Sequence, residues 1–236
     1  MRRLLNLLNS NHKRGAGFRL SVANDVADVY VYDSIGIWGI EAGPFVKEVR
    51  ALRTSAMNLR INSPGGDVFD ARAMKAALED FDGTVTAYVD GLSASAASFL
   101  MMAADEIVMA EGSFVMIHNA WGLTIGNAED HRTQAALLDK VDNGIVADYV
   151  ARTGASEEQV RKWMAAETWF TAEEAVENGF ANRIAEKSKA SAMLYDLSAY
   201  ANAPGNLKPD NSKTLDSDAQ RERERYEARL RLYERN

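Results

Sequence analysis

Between Val26 and Ile117 the chain alternates short β-rich runs with stretches whose apolar residues recur at helical spacing. Val26 to Tyr32 (VADVYVY) alternates apolar and polar residues as a half-buried strand does. Glu41 to Arg53 has helical spacing, Met57 to Ile61 reads as a strand, and Val68 to Phe81 places Ala71, Met74, Leu78 and Phe81 on one helical stripe. Thr84 to Val89 is β-rich, Ser98 to Ala104 reads as a buried helix, and Ile107 to Met109 and Phe114 to Ile117 are short strands. Strands separated by helices can lie parallel, because each helix supplies the crossover. The order therefore predicts an α/β fold with a mostly parallel sheet covered by helices. A long helix is expected over Ala128 to Arg152, with Leu138, Val141, Ile145 and Tyr149 on one face and Thr153-Gly154 as its stop. Two shorter helices follow, Ser156 to Ala165 and Thr171 to Asn178.

Composition narrows the chemistry. With 236 residues, 47% of them hydrophobic and 26% charged, the chain has the make-up of one good-sized globular domain. A net charge of −7 argues against a nucleic-acid partner. The absence of cysteine removes disulfides, thiolate metal sites and cysteine nucleophiles. Only His12, His118 and His131 could supply an imidazole, so no metal site is expected. The longest weakly polar run, Ala94 to Ala104, falls well short of the roughly 20 residues that span a bilayer, and no membrane segment is expected. Residues 1–24 carry Arg2, Arg3, Lys13, Arg14 and Arg19 without any acid and read as a basic, flexible leader. Residues 25–186 form the expected domain. Residues 187–236 read as a linker, marked by Ala203-Pro204-Gly205, and a charged helical tail with pairs such as Glu222–Arg225 and Glu227–Arg231.

Three features carry potential chemistry. Asn62-Ser63-Pro64-Gly65-Gly66 ends a predicted strand, and its adjacent glycines allow close backbone approach and exposed N–H groups. Gly91 to Ala97 (GLSASAA) lies between a strand and a helix, with two serines among small neighbours. A serine there sits where free N–H groups favour developing negative charge, although serine also commonly caps helices. Gly91-x-Ser93 begins a nucleophile-elbow pattern, but Ser95 stands where that pattern has glycine, so both serines remain candidates. The third feature is Met116-Ile117-His118-Asn119 at the end of an apolar strand. If either serine is a nucleophile it needs a base, and His118 is the best placed. The only lysines between Gly66 and Glu167 are Lys75, Lys140 and Lys162, none close in sequence to the serines, which argues against a serine–lysine dyad.

These motifs carry a resemblance. Ile61 to Gly66 (INSPGG), the Gly91–Ser95 segment, Met116-Ile117-His118 and Thr171 to Phe180 (TAEEAVENGF) occur in this order, at similar spacing, in the ClpP family of serine peptidases. The likeness runs from Val26 to Ile184. Within the family, Glu167 to Glu174 (ETWFTAEE) and His118 to Gly122 (HNAWG) look like the ClpP-related head maturation proteases of tailed phages and prophages. The resemblance implies the α/β ClpP/crotonase-like superfold, built from repeated β-β-α/β-α units with a mostly parallel sheet and a protruding long helix. It implies Ser95 as nucleophile, His118 as general base, and the N–H groups of Gly66 and Ala96 as the oxyanion hole. Glu167 falls where housekeeping members have aspartate; Asp139 and Asp142 are fallback acids. A polypeptide substrate would add as a strand between Asp67, Val68 and Phe69 on one side and Trp121, Gly122 and Leu123 on the other. The resemblance further implies no cofactor, a homo-oligomeric ring packed through the long helix, an ATPase unfoldase or a capsid or scaffold protein as partner, and a place in the cytoplasm or inside a procapsid. Two other readings stay open: a non-catalytic ring or scaffold protein, and a crotonase-type acyl-CoA enzyme, which would not need the Ser95–His118 pair.

Overall fold

The computed structural model describes residues 17–37, 39–189, 195–197 and 200–207. The expected alternation is present. β1 (Gly17–Ala23) and β2 (Val26–Tyr32) are followed by α1 (Ala42–Ala51), β3 (Ala56–Ser63), α2 (Val68–Glu79), β4 (Thr84–Ala94) and α3 (Ala96–Leu100). A 3-10 turn, Met101–Ala103, leads to β5 (Glu106–Glu111) and β6 (Phe114–Ile117). Then come α4 (Ala128–Thr153), α5 (Glu157–Ala165), β7 (Thr168–Thr171), α6 (Ala172–Glu177) and β8 (Arg183–Lys189).

The strands form one mixed sheet in the order β1-β2-β3-β4-β5-β8, with β6 pairing the far end of β4 and β7 pairing β6. The β2–β3, β3–β4, β4–β5, β4–β6 and β5–β8 pairs are parallel; β1–β2 and β6–β7 are antiparallel. Strand alternation sets the layers. Val29 and Val31, Leu59 and Ile61, and Ala87 and Val89 are buried in one core with Phe45, Met74, Leu78, Phe99 and Tyr149 from the helices. On the other face Arg60 bridges Asp90, which also accepts from the Tyr32 hydroxyl at 2.6 Å. Burial and the Asp90 carboxylate push the Tyr32 phenol up to about 12.

Two expectations change here. Residues 17–23, assigned to the leader, are a strand, turned onto β2 through Asn24 and Asp25 at φ 51° and 63°. Part of the stretch read as linker is packed: Tyr195, Leu197, Tyr200 and Ala203 are buried against Leu92, Ala94 and Met116. The physical reason is apolar area, since β4 and β6 leave these three side chains on a face that no described α-helix covers. The charged helix expected from Asp218 lies outside the described residues. No described helix is long and apolar enough to cross a membrane.

Candidate active site

Three neighbouring strands end at the site. Ser63 of β3 is in register with Ser93 of β4, and Ser93 with Val115 of β6. The segments leaving these strands carry Gly65-Gly66, Ser95 and His118, so the sheet register brings three distant pieces of sequence to one place.

Ser95 stands between β4 and α3 at φ 53°, ψ −124°. A non-glycine residue there is strained, and such strain persists only where surrounding contacts hold it. Those contacts are present. The Ser95 amide donates to the Met116 carbonyl at 2.8 Å. The Ser95 carbonyl accepts from Ser98 Oγ at 2.6 Å, and Ser98 Oγ is 2.8 Å from the buried Tyr149 hydroxyl of α4. Two residues beyond Met116, His118 reaches back: its Nε2 lies 2.7 Å from Ser95 Oγ. The structure therefore pairs Ser95, not Ser93, with the imidazole. Ser93 Oγ is fully buried, with no hydrogen-bond partner among the described residues.

The glycine turn closes on the serine from the other side. A Cβ on Gly65 would lie 2.5 Å from the Ala94 carbonyl oxygen, 2.8 Å from Ser95 Cβ and 2.9 Å from the Ala96 nitrogen. The turn is tied down by Ile35 N–H to Gly65 O (2.9 Å), Asp67 N–H to Ile35 O (2.9 Å) and Gly65 N–H to Ser63 Oγ (3.1 Å). Gly66, at φ 150°, is exposed. Among the described residues, neither the Gly66 nor the Ala96 N–H has a hydrogen-bond acceptor. Two free N–H donors beside a serine hydroxyl are the elements an oxyanion requires.

Glu167 is near but differently engaged. Its carboxylate accepts from the amides of Ala201 (3.0 Å) and Asn202 (2.7 Å) and from the Trp169 indole N–H (3.3 Å). Among the described residues no hydrogen bond joins it to His118. It acts on the imidazole through charge: burial lowers the His118 pKa below its ordinary value, and the Glu167 carboxylate partly opposes that. Glu167 also has a positive φ, 48°. Among the described residues, the other non-glycine residues with positive φ are Ser95 and the hairpin pair Asn24 and Asp25.

The fallback acids are placed elsewhere. Asp142 accepts from the Ala120 amide at 2.7 Å, fixing the backbone just past His118, and burial raises its pKa. Asp139 and Asp142 line a recess with Asn119, Asn143 and Arg161, away from Ser95. Of the expected substrate edges, Asp67 is the N-cap of α2, and its side chain holds the amides of Phe69 and Asp70. Val68 and Phe69 are helical, so 67–69 offer no free strand edge; the capping carboxylate of Asp67 has turned that stretch into a helix start. Phe69, Trp121 and Leu123 expose large apolar surface, and Gly122 lies against Gln134. The 118–127 connection carries no regular secondary structure. Among the described residues no group of three His, Asp or Glu side chains is placed to share a metal ion.

Residues 48–188 match the Clp protease family. The chain belongs to that family. It is 34% identical over 128 residues to ATP-dependent Clp protease proteolytic subunit 1 of Protochlamydia amoebophila, covering 52% of this chain and 62% of the relative. It is 30% identical over 135 residues to the ATP-dependent Clp protease proteolytic subunit of Porphyromonas gingivalis, covering 56% and 61%. The similarity to a Leifsonia xyli proteolytic subunit 1 is 29% over 132 residues, covering 55% and 67%. The chain thus spans about three fifths of the length of the first two relatives. The mixed α/β sheet is consistent with a Clp-type fold. No motif marks Tyr200, Ser98 or Tyr149 as a site residue, the last two reading only as parts of helices; the fold brings them to Ser95 and His118.

Proposed function

We propose that this protein is a serine endopeptidase of the ClpP type. The carrying observation is the 2.7 Å approach of His118 Nε2 to Ser95 Oγ, on a serine held at φ 53°. As Ser95 Oγ attacks a peptide carbonyl, its proton passes to His118 Nε2. The carbonyl π electrons move to oxygen, where the N–H groups of Gly66 and Ala96 receive the charge. Collapse breaks the C–N bond, His118 gives its proton to the leaving amine, and an acyl-enzyme remains. Water repeats the sequence, with His118 again the base, and frees the acid. Burial keeps His118 neutral near pH 7, the form a base requires, while Glu167 stabilises the imidazolium that follows. No step calls for a cofactor.

The narrower reading is a peptidase that trims capsid or scaffold proteins during phage head assembly. It rests on Glu167 to Glu174 and His118 to Gly122, and on no feature of the fold. Assembly as a homo-oligomeric ring belongs to the same proposal; the exposed Trp121, Leu123, Ile125 and Leu137 are apolar surface that a second copy would cover. The competing reading, a non-catalytic ring, is favoured by one observation, the engagement of Glu167 with backbone amides. A fluorophosphonate probe decides. Labelling of the wild type that vanishes in Ser95→Ala is the expected result; a folded wild type that never labels would favour the non-catalytic ring.

A further inference from the structure

The described stretch 195–197 and 200–203 lies beyond the family match at residues 48–188, yet it is built into the site. The Tyr200 ring packs edge-to-face on His118, with centroids 5.6 Å apart, and on Trp169 at 5.8 Å. Its hydroxyl donates to the Pro64 carbonyl at 2.6 Å, inside the glycine turn that closes on Ser95. Tyr195 repeats the arrangement one step away, donating to the Asn62 carbonyl at 2.7 Å. The next two residues after Tyr200 give their amides to Glu167, and Asn202 Nδ2 donates to the Ala166 carbonyl at 2.7 Å. One short piece of chain thus touches the imidazole, the glycine turn and the acid.

We propose that Tyr200 is a positioning residue of the active site: its ring seats His118, and its docking presents the Ala201 and Asn202 amides that hold Glu167. The proposal rests on the peptidase reading above and adds a component to it. Edge-to-face packing fixes the plane of an imidazole without competing for its nitrogens. The ring also keeps water from His118, whose lowered pKa has burial as its main cause. The groups facing His118 are then Ser95, the Tyr200 ring and the Glu167 charge.

The test uses the full chain with Tyr200→Phe and Tyr200→Leu, both of which keep an apolar side chain in the buried position. Two quantities are read: the rate of fluorophosphonate labelling at Ser95, and the pH midpoint of diethylpyrocarbonate modification of His118, located by peptide mass spectrometry. Tyr200→Leu is expected to slow labelling at least tenfold and to move the His118 midpoint upward, as water reaches the ring. Tyr200→Phe keeps the ring and should hold the wild-type midpoint. A folded Tyr200→Leu with an unchanged midpoint and wild-type labelling would overturn the proposal while leaving the peptidase intact. Faster labelling would also overturn it, marking the segment as a plug. If the wild type never labels but the midpoint still moves in Tyr200→Leu, the peptidase reading fails and the seating of His118 stands.

Discussion

Gly65→Ala tests whether the glycine turn is shaped by the nucleophile it touches. Gly65 has φ +88°, and an added Cβ would meet three atoms of 94–96 at 2.5, 2.8 and 2.9 Å. Two of those atoms are backbone, so neither can swing away. The left-handed φ alone costs an L-residue about 1–2 kcal/mol. Forcing a methyl group into a packed site adds about 1–3 kcal/mol. The sum is a destabilisation of about 2–5 kcal/mol. Gly154→Ala is the matched control, because Gly154 has φ +69° with nothing within 4 Å of its added Cβ. It should lose only the conformational share, about 1–2 kcal/mol. Urea denaturation of both variants measures the difference, expected at about 1–3 kcal/mol. A turn pushed away from Ser95 also withdraws the Gly66 N–H, and loss of one oxyanion donor typically lowers kcat by about 10²–10³. Gly65→Ala should therefore lose peptidase turnover while Gly154→Ala keeps it. Equal stabilities for the two variants, or wild-type turnover in Gly65→Ala, would refute this account of the turn.

At Ser95 itself, glycine should be at least as stable as alanine. Glycine releases strain worth about 1–3 kcal/mol and loses about 0.5–1 kcal/mol as flexibility of the unfolded chain; a thermal melt showing Ser95→Gly clearly below Ser95→Ala would contradict the strain. Glu167→Gln should lower turnover about 10- to 100-fold, a charge interaction of the size expected at an effective dielectric near 20. Because Glu167 raises the His118 pKa, its removal should move the acid limb of the pH–rate profile to lower pH, and Asp139→Asn should move neither. Ending the chain before Tyr195 would uncover Leu92, Ala94 and Met116, so lower stability and lower solubility are expected in denaturation and light-scattering measurements. Ending it after Leu207 should leave cleavage of a short peptide unchanged.

Much of the sheet is legible because hydrophobic period and crossover order are local properties of sequence. β1 was hidden by its basic neighbours, although Asn24-Asp25 is a two-residue hairpin signal and both residues adopt the positive φ that such a turn requires. β7 has four residues and β8 (RIAEKSK) has four charged residues in seven, so neither announces itself by apolar pattern. The expected helix at Ser98 begins at Ala96 and gives way to a 3-10 turn at Met101, which places Ser95 directly before its first turn. The packing of Tyr195 and Tyr200 follows no periodicity. It answers an uncovered apolar face created by strands some 80 to 110 residues earlier.

The site divides by what holds it. Ser63, Ser93 and Val115 are aligned on three adjacent strands, and adjacent strands lie about 4.8 Å apart. The glycine turn and the segments carrying Ser95 and His118 therefore leave the sheet within about two strand spacings of one another. A one-residue slip would turn every core side chain of these strands outward, so the Ser95–His118 pairing inherits the register enforced by the core. Glu167 has no such guarantee. It precedes a strand that, among the described residues, reaches the sheet only through β6, it has a positive φ, and its carboxylate is held by the amides of Ala201 and Asn202. Glu167 is thus the residue whose side-chain length can change without disturbing the sheet. A glutamate, one methylene longer than aspartate, is accommodated where the surrounding chain supplies its own donors.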